Sequence, residues 1–164
     1  MSFQDAVRTC LQQKYADFNG RARRSELWFF VLFTIIAGFV ATVIDAILHT
    51  PTLGTNGLVT WVVTLALLVP MLAVGARRLH DTGRPTWLVA GYLLTLVGSA
   101  LSGASTLLGG FVSFVGGIWT IVLIIFWIQD SKPDNEYGPD PKSVADGGYG
   151  QAYPQMPPPA PPQY

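Results

Sequence analysis

The sequence predicts an all-α integral membrane protein: a four-span transmembrane helix bundle with an N-terminal amphipathic helix and a disordered proline-rich tail. Three observations predict it. Half of the residues are apolar and only 12% are charged, against roughly a quarter charged in an ordinary soluble domain. The charges are segregated, with Asp45 alone between Leu27 and Ala76 and none from Pro85 to Gln129. All ten lysines and arginines lie on one side of a four-span path.

The same counts exclude several classes. Ten bases cancel ten acids, so net charge drives no nucleic-acid binding, and no nucleic-acid partner is expected. The single cysteine, Cys10, cannot close an intrachain disulfide. Runs this apolar are not those of a disordered chain.

Residues 1–26 form a polar segment with no short apolar core of the kind that marks a cleaved signal. Ser2 and Asp5 have capping-box spacing, and Phe3, Val7, Cys10, Leu11 and Phe18 recur at helical steps. The expectation is an amphipathic helix, lying in the headgroup plane or packed on the bundle end.

The transmembrane domain is expected over 27–129. A helix needs about 20 apolar residues to cross a hydrocarbon layer of about 30 Å. The first span is placed at 27–47 and the second at 58–76, separated by residues rich in Pro, Gly and Thr. Pro70 inside the second is expected to kink it. The uncharged run after Arg84 fits two helices. Breaking it among the small residues Ser102–Gly110 gives spans at 87–105 and 111–128. Ser105, Gly109, Ser113 and Gly117 repeat every four residues, a face that permits close helix approach within one bundle or across a homo-oligomer seam. An acidic exit motif follows at 130–142. The Pro/Gly/Tyr-rich tail, 143–164, has no residues with which to build a core. The loops 48–57 and 102–110 carry no base, so the positive-inside rule places both termini in the cytoplasm.

Three polar clusters meet at that face. The first is Gly20-Arg21-Ala22-Arg23-Arg24-Ser25-Glu26-Leu27-Trp28. The second is Arg77-Arg78-Leu79-His80-Asp81-Thr82-Gly83-Arg84, followed by Pro85-Thr86-Trp87. The third runs from Asp130 through Asp134-Asn135-Glu136-Tyr137-Gly138 to Pro141. Together they resemble the family catalogued as domain of unknown function 805, small bacterial inner-membrane proteins of the YhaH/YhaI type. The Arg-Arg-Leu-His-Asp-x-Gly-Arg loop is the most specific element of that likeness, and many members continue with Ser-Gly-Trp where this chain has Pro-Thr-Trp. The resemblance covers about residues 15–141. It implies a multi-span protein of the bacterial inner membrane and carries no catalytic mechanism.

The candidate site is therefore a cytoplasmic cluster of Arg21, Arg24, Glu26, Arg77, Arg78, His80, Asp81, Arg84, Asp134, Asn135 and Glu136. One reading is a charge-paired lid in which the exit acids neutralise the arginines. The other is an anion site for phospholipid headgroups or a phosphate-bearing partner. His80 beside Asp81 has the composition of a general base, yet lacks a nucleophile or metal-binding partner: His49, the other histidine, falls on the opposite side. There is no two-histidine helix motif, cysteine pair, nucleophile elbow or phosphate loop, so no enzyme activity, metal or cofactor is expected. The leading expectation is a non-enzymatic membrane protein that binds anionic lipid or organises a partner. The alternative is an oligomeric small-solute transporter or channel component, although the spans hold no ionisable group near mid-membrane.

Overall fold

A computed structural model describes residues 1–133 and 135–137; the tail expected over 143–164 lies outside the described residues. Helix α1, Phe3–Arg8, continues into a π turn, Thr9–Gln13. The capping box forms: Ser2 N donates to Asp5 Oδ2 at 3.0 Å, and Asp5 N donates to Ser2 Oγ at 3.2 Å. Three helices follow that are long and apolar enough to cross a membrane: α2 (Arg24–Leu48), α3 (Leu58–Asp81) and α5 (Thr106–Ile128). Between α3 and α5 lie a 3-10 turn, Thr86–Tyr92, and a short helix α4, Leu93–Leu101.

The helix bounds differ from the expected spans in two informative places. The α3 helix runs to Asp81 rather than 76, so Arg77–Asp81, expected in a loop, form its last turn. The break between the last two helices is confined to 102–105, and α5 starts at Thr106 rather than at 111. Ser105 caps it, accepting from Leu108 N at 3.3 Å. The small residues read as loop are helical because α4 and α5 pack through them. A Cβ on Gly109 would sit 2.4 Å from Ser102 N, one on Gly98 2.5 Å from Ser113 N, and one on Gly116 2.7 Å from Thr95 N. The four-residue stripe is therefore used within the chain at Gly109 and Ser113. Its last contact is Gly116 rather than Gly117, which faces open space.

The two ends of the bundle are closed by different means. At one end a hairpin, β1 (Thr52–Leu53) with β2 (Asn56–Gly57), joins α2 to α3. Gly54 turns with φ +69° against the carbonyl of Ser99, where a Cβ would be 1.8 Å from the oxygen. Asn56 Nδ2 donates to Ser99 Oγ at 2.9 Å, tying the hairpin to α4. Asp45 of α2 caps α3 from outside: its carboxylate accepts from Val59 N (2.9 Å), Thr60 N (2.8 Å), Thr60 Oγ1 (2.7 Å) and the Thr50 hydroxyl. A carboxylate here satisfies the orphan amides of a helix start and faces the positive end of its dipole.

The packed core lies toward the other end. Every residue of α3 from Ala73 through Thr82 is buried, surrounded by Cys10, Leu27, Phe30, Val89, Leu123 and Trp127. Trp127 packs on Gly75 and donates from Nε1 to its carbonyl at 3.2 Å. The hairpin half instead presents apolar side chains outward, with Phe39 70%, Ile47 68% and Leu107 88% exposed. Pro70 runs inside α3. Its missing N–H frees the carbonyl of Ala66, and the Tyr15 hydroxyl donates to that oxygen at 2.7 Å.

If Asp45 holds the start of α3, Asp45→Ala lowers the thermal midpoint of the purified protein, and Asp45→Ser, which keeps a capping oxygen, recovers part of the loss. An unchanged midpoint in Asp45→Ala would show that the cap does not hold the hairpin end.

Candidate functional site: a buried arginine–carboxylate knot

The most polar stretch of the chain is also its most buried. Arg77, Arg78 and Asp81 are 0% exposed, with Arg21, Glu26, His80 and Thr82 also buried. Side chains of this kind leave water only when paired and hydrogen-bonded, and the sequence supplies the partners from three segments.

The end of α3 sets the geometry. Gly83, at φ +69°, follows the C-cap Thr82. Gly83 N donates to His80 O at 2.9 Å and Arg84 N to Leu79 O at 2.9 Å, a Schellman closure that requires the left-handed glycine. This turn fixes Asp81 inward on the last helical residue. An acid there opposes the helix dipole, and two guanidiniums offset it. Arg21 lies against Asp81 Oδ1, with Nε at 2.9 Å and Nη2 at 2.8 Å. Arg78 Nη1 pairs with Asp81 Oδ2, which also accepts from Ser131 Oγ at 2.6 Å. Asp81 O accepts from Lys132 N at 3.0 Å. One carboxylate thus holds the N-terminal segment, α3 and the chain leaving α5.

The remaining donors of those arginines go to carbonyls. Arg78 Nε donates to Trp127 O at 3.0 Å and its Nη2 to Gln129 O. Arg21 Nη1 donates to Pro133 O at 3.1 Å and Nη2 to Lys132 O. The α5 helix ends without glycine, so Arg78 occupies carbonyls at its end while Arg21 holds those of the exit segment. Arg77 pairs with Glu26 Oε1 at 2.5 Å, while its Nε and Nη2 find no hydrogen-bond partner among the described residues. Cys10 lies beside this pair, and burial, aided by the Glu26 charge, pushes its thiol up to about 11.

His80 is a second joint. Its Nδ1 lies 3.1 Å from Gly20 O, so this nitrogen carries the proton, and its Nε2 lies 2.6 Å from Thr86 Oγ1. The ring stacks on Tyr137 at 4.0 Å between centroids, and Asn135 Nδ2 donates to His80 O at 3.0 Å. Both ring nitrogens serve to join segments.

The sequence-predicted residues divide by role. Arg21, Glu26, Arg77, Arg78, His80, Asp81 and Asn135 come together. Arg24 stays outside, half-buried, paired to the exposed Asp130 at 3.0 Å and donating from Nε to Gln129 O at 3.2 Å. Arg84 lies over the Phe126 ring at 3.9 Å and donates to Gln129 Oε1 at 2.7 Å. Glu136 is exposed and makes no ion pair among the described residues; Asp134 lies outside them. Among the described residues, the carboxylates that meet the buried arginines are Glu26 and Asp81, each on a helix end, while the exit acid Asp130 meets Arg24 at the rim. Ser131, Thr86 and the carbonyls of Trp127, Gln129, Lys132 and Pro133 were not anticipated; backbone acceptors leave no mark in a sequence.

Lysine cannot reproduce three divergent donors. Arg78→Lys should therefore destabilise the protein by about 2–3 kcal/mol, against less than about 1 kcal/mol for Arg84→Lys at the exposed rim, both read from thermal or denaturant unfolding in one detergent. Equal effects would place Arg78 outside the knot. Cys10 should react slowly with maleimide at pH 8, where its thiol is protonated and covered, and stoichiometrically once the protein is denatured; rapid native labelling would contradict its burial.

Comparison with known proteins supplies the family. Residues 15–139 match the family model described as "Protein of unknown function (DUF805)". The chain is 34% identical over 131 residues to the inner membrane protein YhaH of Escherichia coli K12, covering 79% of this chain and 91% of that protein. It is 38% identical over 132 residues to the inner membrane protein YhaI of the same strain, covering 79% and 90%. No solved structure matches. Residues 15–139 enclose the knot almost entirely and reach relatives along nearly their whole length, so the chain belongs to the DUF805 family of integral inner-membrane proteins.

Proposed function

We propose that this is a non-enzymatic, four-span protein of the bacterial inner membrane whose cytoplasmic end binds anionic phospholipid headgroups. One observation carries the reading. The knot consumes Arg21, Arg77 and Arg78 internally, while Arg24 and Arg84, half-buried, and Lys132, exposed, stand at the rim of the same end. Trp28 and Trp87, 36% and 65% exposed, follow Arg24 and Arg84 by four and three residues. Aromatic rings near such bases are the composition of a membrane–water interface. The Arg24–Asp130 pair is solvated and weak, so a phosphate can compete for the guanidinium.

A fourth crossing is supported by length. At about 2.0 Å per residue in the 3-10 turn and about 1.5 Å in α4, the stretch 86–101 extends roughly 27 Å, close to the hydrocarbon thickness of about 30 Å. The tighter winding gives a segment of that many residues more reach than an α-helix would. Four crossings keep every base on the cytoplasmic side.

The enzyme and carrier readings gain no such support. His80 is engaged at both nitrogens and Asp81 is paired to two arginines. Asp45, the acid within the apolar stretch of α2, is committed to the start of α3.

Topology is checked with single cysteines in a Cys10→Ser background. Pro51→Cys and Ala104→Cys should label from outside with an impermeant maleimide, and Pro85→Cys only after permeabilisation. An Ala104 site reached only after permeabilisation would reduce the count to three crossings. Lipid binding is checked by native mass spectrometry of gently solubilised protein. Combined Arg84→Gln and Lys132→Gln should cut retained phosphatidylglycerol at least about fivefold, on about 1 kcal/mol per interfacial base; unchanged retention would overturn the reading.

A further inference from the structure

We infer that the groove between the N-terminal helix and α2 is a binding site for one anionic glycerophospholipid of the cytoplasmic leaflet. The groove has a volume of about 550 Å³ and is walled by Phe3, Val7, Leu11 and Phe33, with Arg8 and Gln12 on its edge. That volume lies in the range of ordinary ligand pockets, roughly 300–1,000 Å³. Its long axis is set by where α1 touches α2. Phe3 meets Phe29 edge-on at 6.2 Å, and Leu11 faces Phe33, one turn further along α2. Next in line the Tyr15 hydroxyl reaches Ala66 O, well inside α3. The segment therefore lies along the bundle, and the α2 side chains Leu32 and Ile36, near Phe33 in sequence, are exposed.

Charge decides the occupant. Asp5, the acid one turn before Arg8, is held by Ser2 through the capping box, and those hydrogen bonds keep its carboxyl below the usual carboxylate range. Arg8 is exposed and makes no ion pair among the described residues. A guanidinium above an apolar trough matches a phosphodiester above an acyl chain: the fork takes two phosphate oxygens, the Gln12 amide offers a further donor, and the chain covers Phe33 and Leu11. A choline headgroup brings its own cation against Arg8, so an anionic lipid is preferred. The π turn widens the helix where Leu11 and Gln12 line the groove. The inference rests on the orientation given under the proposed function, and adds a site that the exposed rim does not contain.

The test uses the full chain in nanodiscs of phosphatidylcholine doped with diazirine-acyl phosphatidylglycerol or, separately, diazirine-acyl phosphatidylcholine. Adducts are mapped by mass spectrometry. The glycerol lipid should mark Leu11 and Phe33 at least about fivefold more than the choline lipid. Arg8→Gln should abolish that preference, Arg8→Lys should retain most of it, and Arg84→Gln should leave it unchanged. Equal marking by both lipids would make the groove a generic acyl-chain crevice, and absence of adducts at Leu11 and Phe33 would remove the site; either overturns the inference. Loss of lipid retention in the Arg84/Lys132 variant with an unmarked groove leaves the rim reading standing and sinks this one. Arg8-dependent marking with unchanged rim retention does the reverse.

Discussion

One buried carboxylate organises the polar end of this protein. Asp81 stands at the last turn of α3, where the helix dipole disfavours it and solvent does not reach it. Such a charge is stable only with near-complete pairing, because desolvating an ion costs several kcal/mol after relaxation. Arg21 and Arg78 provide the charge, Ser131 a hydroxyl, and Lys132 an amide to the adjoining carbonyl. These donors come from three parts of the chain. Closing the knot therefore requires the N-terminal segment, α3 and the exit of α5 to be in place together. An apolar core of the same volume would be as stable or more so; what the knot supplies is register, the role for which buried ionic groups are best attested.

The rest of the bundle follows from that constraint. With its last three turns committed to the knot and core, α3 becomes a central post, and Ala73, Gly75 and Ala76 let neighbours approach its backbone. Packing is dense at this end and sparse at the other, where lipid-facing side chains replace a core and Asp45 ties α2 to α3 by a cap. The freed carbonyl at Ala66 follows the same rule. In a low-dielectric setting every backbone acceptor needs a donor, and the Tyr15 hydroxyl supplies it.

Much of this was legible in the sequence, for identifiable reasons. Apolar runs locate α2, α3 and α5 because burial in lipid demands them. The Ser2/Asp5 spacing gave the capping box, and clustering of Arg21, Arg77, Arg78, His80 and Asp81 named the knot. What was not legible depends on three-dimensional proximity. Small residues from Ser102 to Gly110 looked like a loop because composition does not distinguish flexibility from close packing; Gly109 is helical since Ser102 sits where its side chain would be. Among the described residues Glu26 and Asp81, carried on helix ends, supply the carboxylates that meet the buried arginines, a pairing that charge count alone does not single out. Likewise, exposed Arg8 looked unremarkable until α1 was seen lying against Phe33.

The account stands on the coupling between Arg21 and Asp81. It is measured most directly by a double-mutant cycle of Arg21→Gln and Asp81→Asn, with unfolding free energies taken in one lipid or detergent environment. Each single change should cost about 3–5 kcal/mol by leaving a buried charge unpaired. The double variant should cost less than the two single changes added together, by a coupling of about 2–3 kcal/mol. Additive losses, with no coupling energy, would show that the two residues act independently and that the knot does not organise the bundle.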